Sequence, residues 1–140
     1  MLHLKVRKRL KKSGLAITKQ RSKVLGVMFN LAKPSSLKEI RLSLGLIDRV
    51  TVFRILNSFE KNNIIHVISL EDGSKLYALC EDKCSALNTC HSAEHVHFKC
   101  NSCSDVSCLP LQKFPEITIS NHFVSKVNIN VSGICVNCFT

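Results

Sequence analysis

His95-Val96-His97-Phe98-Lys99-Cys100-Asn101-Ser102-Cys103 is the stretch that decides how the second half of this chain folds. Its last four residues form a C-x-x-C pair, and a second pair, Cys135-Val136-Asn137-Cys138, follows 31 residues later. Thiolates at this spacing lie close enough to share one ion, and zinc favours four such ligands in a tetrahedron. The two pairs therefore predict one structural Zn²⁺ per chain, held by Cys100, Cys103, Cys135 and Cys138. The long gap between them means that the site staples distant strands. Buried reduced cysteines or two disulfides are the competing readings. In a module this small, zinc would supply folding energy directly.

The same stretch opens with His95-Val96-His97. Residues i and i+2 of a strand share a face, so both imidazoles can meet one metal. Two surface histidines would read the same way. Partners for such a site are offered by His66, Cys80, Cys84, Cys90 and His91. His3 and His122 stand without such company. All eight cysteines fall between Cys80 and Cys138. No apolar run follows the charged N-terminus, so the reading is a cytoplasmic chain with cysteines used for metal rather than disulfides.

Working outward, the first half is different. Residues 1–62 carry a net charge of +12 and the remainder −2, within a total of +10 over 140 residues. A basic half joined to a near-neutral one suggests a polyanion-binding module beside a module with another task. The alternative is a merely soluble basic surface. Leu2, Val6 and Leu10 keep a helical period that Gly14 stops. Thr18 caps a second helix with Val24, Leu25, Met28 and Leu31, and Pro34 follows its end. Ser36 and Glu39 form a capping box for a short third helix closed by Gly45. A fourth helix, from Asp48 or Arg49, carries Val52, Leu56 and Phe59 on one face. The β-rich runs 64–68 and 75–79 flank Asp72-Gly73, a hairpin turn. That order of elements is a winged helix-turn-helix. Later, 96–99 and 106–109 read as a hairpin around the first C-x-x-C. Residues 110–115 read as a short helix or turn, and Phe123-Val124, Val127 and 129–131 read as strand-like.

Four motifs together resemble the ferric uptake regulator family of metal-responsive repressors. They are Thr18-Lys19-Gln20-Arg21, Asp48-Arg49-Val50-Thr51-Val52-Phe53-Arg54-Ile55-Leu56, the 95–103 stretch, and Gly133-Ile134-Cys135-Val136-Asn137-Cys138. The resemblance implies an α+β chain: a winged-helix DNA-binding domain over 1–80, a hinge loop over 81–94, and a zinc-stapled dimerisation domain over 95–140. It implies a homodimer on a double-stranded DNA operator, with no membrane partner. Thr51 and Phe53 would reach bases, with Arg54, Arg21, Lys19 and the basic run 5–12 on the backbone.

Within that family the resemblance is greatest to the zinc uptake regulators. Their pattern implies a second, regulatory Zn²⁺ on His66, Cys80, His95 and His97, with Cys84, Cys90 or His91 as alternates. One sulfur and three nitrogens suit zinc, whereas iron and manganese sensors prefer oxygen-rich sets. The chain departs from the family pattern at Phe53 (usually Tyr), Val96 (often a carboxylate) and Val127 (usually His). The last two changes argue against a third metal site. Sensing of iron, manganese or peroxide on the same fold is the alternative. A zinc hydrolase or deaminase is more remote, since no H-x-E or H-E-x-x-H motif occurs to supply a carboxylate beside the metal.

Overall fold

The computed structural model describes residues 1–80, 95–110, 117–124 and 129–140. The chain divides into two compact units, one built from the described residues up to 80 and one from those after 94. The first contains α1 (Leu2–Lys12), α2 (Lys19–Leu31), α3 (Leu37–Leu44), α4 (Arg49–Lys61), β1 (Ile65–Ser69) and β2 (Lys75–Leu79). The second contains β3 (His95–Cys100), β4 (Val106–Pro110), β5 (Asn130–Gly133) and the short α5 (Val136–Phe139). The architecture is the expected α+β.

The helix starts follow from their caps. The Thr18 side chain accepts the Arg21 N–H, and Ser36 and Glu39 form a reciprocal capping box. Asp48 accepts the Thr51 N–H at 3.1 Å. Each cap satisfies a backbone donor that the first helical turn leaves without an internal partner. Gly45 ends α3 at φ +79°, a backbone conformation that a side chain would strain.

Inward-facing residues of α1, α2, α3 and α4 close over β1. Leu10, Leu25, Ile40, Leu56, Phe59 and Ile65 are completely buried there. β1 and β2 pair antiparallel from Ile65↔Leu79 to Ser69↔Lys75, with the turn at Asp72-Gly73. Ser35 exchanges both backbone hydrogen bonds with Tyr77, at 3.0 and 2.8 Å, so the segment before α3 is tied to the wing.

The second unit is a three-stranded sheet ordered β4-β3-β5. β3 and β4 form the antiparallel hairpin expected around the first C-x-x-C. β5 runs parallel to β3. Among the described residues of this unit only Val96, Cys100 and Val106 are buried. The expectation of a strand at Phe123-Val124 is not met: residues 117–124 contain neither helix nor strand, and Phe123 is 97% exposed. The alternating segment pairs with no strand among the described residues. Of the short helix or turn expected over 110–115, Pro110 ends β4, while residues 111–115 and Val127 lie outside the described residues.

Candidate metal centres and nucleic-acid surface

The register of β3 and β5 explains how two C-x-x-C pairs so far apart meet. Their parallel pairing sets Cys100 opposite Gly133. Each strand therefore delivers its cysteines at the same end of the sheet. The Asn101 N–H donates to the Gly133 carbonyl at 2.7 Å, and the Cys135 N–H donates to Cys100 Sγ at 3.4 Å. The four sulfurs of Cys100, Cys103, Cys135 and Cys138 lie within 4.8 Å of one another. Zinc–sulfur bonds of about 2.3 Å at tetrahedral angles place sulfurs about 3.8 Å apart. Cys103 and Cys135 are 3.9 Å apart, so the cluster fits that ion.

The electrostatics agree. Backbone N–H groups of Cys103 and Cys135 hold the Cys100 thiol down at about 6. Cys103 receives the Asp105 N–H, but the Cys100 thiol, desolvation and the remaining two thiols outweigh it and push it up to about 12. The Cys135 thiol likewise raises Cys138. Four crowded thiols cannot all ionise by themselves. A dication removes that conflict, because coordination deprotonates a thiol outright.

In the first unit, His66 and Cys80 are brought together. The Cys80 N–H donates to the Ile64 carbonyl at 2.9 Å, extending the hairpin ladder by one residue. Cys80 is thus a diagonal neighbour of His66 on the same sheet face. Both are 6% exposed, and Cys80 Sγ lies 3.5 Å from His66 Nδ1. Nitrogen and sulfur sharing a tetrahedral zinc would stand about 3.6 Å apart.

In the second unit, His97 lies on β3, directly opposite Cys108 of β4. Their ligand atoms are within 4.8 Å of each other. His95 joins β3 through its backbone, opposite Pro110. Cys84, Cys90 and His91 lie outside the described residues. Cys108 was not among the candidate ligands read from sequence. The available signal was its place in the second strand of a hairpin whose first strand carries H-x-H.

α4 presents Val50, Phe53, Arg54 and Asn57 outward, with Phe53 46% exposed, while Val52, Ile55, Leu56 and Phe59 face the core. The Thr51 hydroxyl donates to the Asp48 carboxylate, which holds that carboxyl below its usual range. Thr51 is therefore engaged in the cap as well as placed at the helix start. Lys19 is exposed, and the Arg21 guanidinium donates to the Ala16 carbonyl at 3.0 Å, bracing the turn before α2.

The basic run 5–12 requires a correction. Arg9 is buried and its guanidinium donates to the Cys80 carbonyl. Lys5 lies 5.6 Å over the Phe29 ring, a cation–π distance. Helical spacing puts Arg9 on the face of Val6 and Leu10. Arg9 therefore packs the fold, and Lys5, Arg7, Lys8, Lys11 and Lys12 remain exposed.

The sequence pattern of the Ferric uptake regulator family matches residues 12–138, spanning both units and every motif above. The chain belongs to the ferric uptake regulator family. Members of this family are regulators rather than enzymes, which sets aside the hydrolase and deaminase reading. The ferric uptake regulation protein of Helicobacter pylori is 29% identical over 106 residues. That match covers 73% of this chain and 64% of the relative's length. Among solved structures, a zinc uptake regulator complexed with zinc and DNA has a TM-score of 0.69 at 19% identity, covering 99% of this chain and 93% of that one. The Helicobacter pylori ferric uptake regulator has a TM-score of 0.61 at 20% identity, covering 99% and 92%. A zinc-bound manganese uptake regulator has a TM-score of 0.63 at 16% identity, covering 94% and 98%. At such identities these structures speak for the family fold, and their metals remain their own.

Proposed function

We propose that this member of the ferric uptake regulator family is a cytoplasmic, homodimeric, zinc-responsive repressor. On this reading Cys100, Cys103, Cys135 and Cys138 hold a structural Zn²⁺. A regulatory Zn²⁺ takes ligands from His66, Cys80, His95 and His97. The observation that carries the zinc assignment is the buried His66–Cys80 pair at 3.5 Å. A thiolate beside an imidazole is a borderline-soft donor pair that suits zinc, whereas manganese and ferrous sensors favour carboxylates. Iron or manganese sensing is the second reading, because relatives of similar fold are named for those metals.

DNA binding is supported by the charge of the first half and by the outward face of α4. Phe53 can touch a thymine methyl in the major groove, and Arg54 reaches phosphate. Dimerisation is supported by the apolar residues that the second unit exposes. Leu109, Ile119, Phe123, Val136 and Phe139 are all exposed, and exposed apolar side chains gathered on one surface suit a subunit interface.

The test of metal identity is DNA binding by fluorescence anisotropy under reducing conditions, with zinc, ferrous iron or manganese added to protein that retains its structural metal. Zinc alone should raise the affinity for DNA. Activation by iron or manganese with no response to zinc overturns the assignment. Arg54→Ala should weaken binding to all sequences alike and reduce the salt slope by about one unit, as one lost phosphate contact requires. An unchanged slope would remove α4 from the interface.

A further inference from the structure

We propose that Arg9 is a positioning residue for the regulatory metal: reaching from α1, it holds the Cys80 backbone so that the sulfur stays beside His66. The proposal rests on the reading of His66 and Cys80 as ligands and concerns the first unit alone. Val6 and Leu10, on the same face of α1, are buried in the helical core, so packing fixes the helix that carries Arg9. Arg9 is 9% exposed, and its guanidinium donates to the Cys80 carbonyl, 71 residues along the chain. An arginine is seldom buried on an apolar helix face, because desolvating its guanidinium is costly unless acceptors meet it.

Cys80 follows Leu79, the last residue of β2, where the hairpin ladder runs out. Its N–H donates to the Ile64 carbonyl at 2.9 Å, and its own carbonyl accepts from Arg9. Both backbone polar groups of this residue are thus held, one by the start of the hairpin and the other by α1. Two such anchors set where its Cβ points and keep Sγ 3.5 Å from His66 Nδ1. A ladder end held on one side alone frays readily. Groups that orient a metal's ligands without touching the metal govern its affinity. The planar fork of a guanidinium suits this task better than a lysine ammonium, which is a mobile point charge.

The experiment uses the full chain with zinc retained in the four-cysteine site, under reducing conditions. Affinity for one further Zn²⁺ is measured by competition with a chromophoric chelator, while circular dichroism and structural zinc content report the fold. Arg9→Met should weaken binding of the second Zn²⁺ by about 10- to 100-fold with the fold retained. Arg9→Lys should lie between Arg9→Met and the wild type, and it alone decides should Arg9→Met not fold. Val6→Ala removes apolar packing of α1 but no hydrogen bond, and should keep the wild-type affinity. Wild-type affinity in Arg9→Met, or in Arg9→Lys where that variant decides, overturns the proposal and leaves the ligand reading standing. Equal weakening by Val6→Ala and Arg9→Met overturns it too, since Arg9 then acts only through the packing of α1. A wild-type chain that takes up no second Zn²⁺, or a His66→Ala variant that binds it unimpaired, overturns the ligand reading and this proposal together.

Discussion

Cys100→Ser or Cys135→Ser is expected to remove the structural zinc, the ordered second unit and the dimer together. Only three buried residues are found among the described part of that unit, and one of them is Cys100. Val96 and Val106 contribute about 1.5–3 kcal/mol each by burial. Structural zinc in small modules is bound with an apparent free energy of about 10–16 kcal/mol, which appears as folding free energy when the apo site is unformed. The metal therefore outweighs the burial of these two valines by about two- to fivefold. A serine hydroxyl does not ionise near neutral pH and is a poor substitute for thiolate. Three remaining sulfurs would leave the C-terminal pair without its anchor on β3. Metal analysis, circular dichroism and sedimentation on the same sample check the result, and a chelator strong enough to strip zinc should reproduce it. A serine variant that stays folded and dimeric with no zinc would show that the sheet needs no staple.

Much of this was legible because the relevant signals are local. The capping box Ser36–Glu39 and the turn at Asp72-Gly73 each lie within four residues, and both appear where the pattern put them. The C-x-x-C pairs were legible for a different reason, since the chemistry of zinc limits what four such thiols can do. What escaped depends on packing between distant segments. Arg9 reads as one more cation in a basic helix, yet its partner is a carbonyl 71 residues away. Cys108 looks like an ordinary strand residue until the β3/β4 register is known. Phe123 shows the converse, where a period-two pattern pairs with no strand among the described residues and forms none. The exposed face of α4 was readable from helical period alone, but the use of the Thr51 hydroxyl on Asp48 was not, because a cap and a base contact call for the same residue type.

His97→Ala is expected to abolish zinc-stimulated DNA binding while leaving the fold and the structural zinc intact. β3 is held by its backbone ladders to β4 and β5, including the His97 N–H on the Ile129 carbonyl at 3.2 Å, and these survive removal of the imidazole. The structural ligand Cys100 faces the other side of the strand, so the change does not reach it. The regulatory centre is proposed to take ligands from both units. A metal joining them would restrict their relative rotation and favour one separation of the two α4 helices in a dimer. Half-sites on DNA recur about one helical turn apart, so that separation governs affinity. A coupling of about 1–3 kcal/mol corresponds to 5- to 150-fold tighter binding with zinc. The variant should therefore bind DNA with the affinity of the zinc-free wild type whether or not zinc is added. Anisotropy titrations at fixed salt, run beside a metal count of one zinc per chain rather than two, distinguish loss of sensing from loss of fold. If His97→Ala responds to zinc as the wild type does, the metal that controls this chain is bound elsewhere, and the zinc-stapled winged-helix fold stands without it.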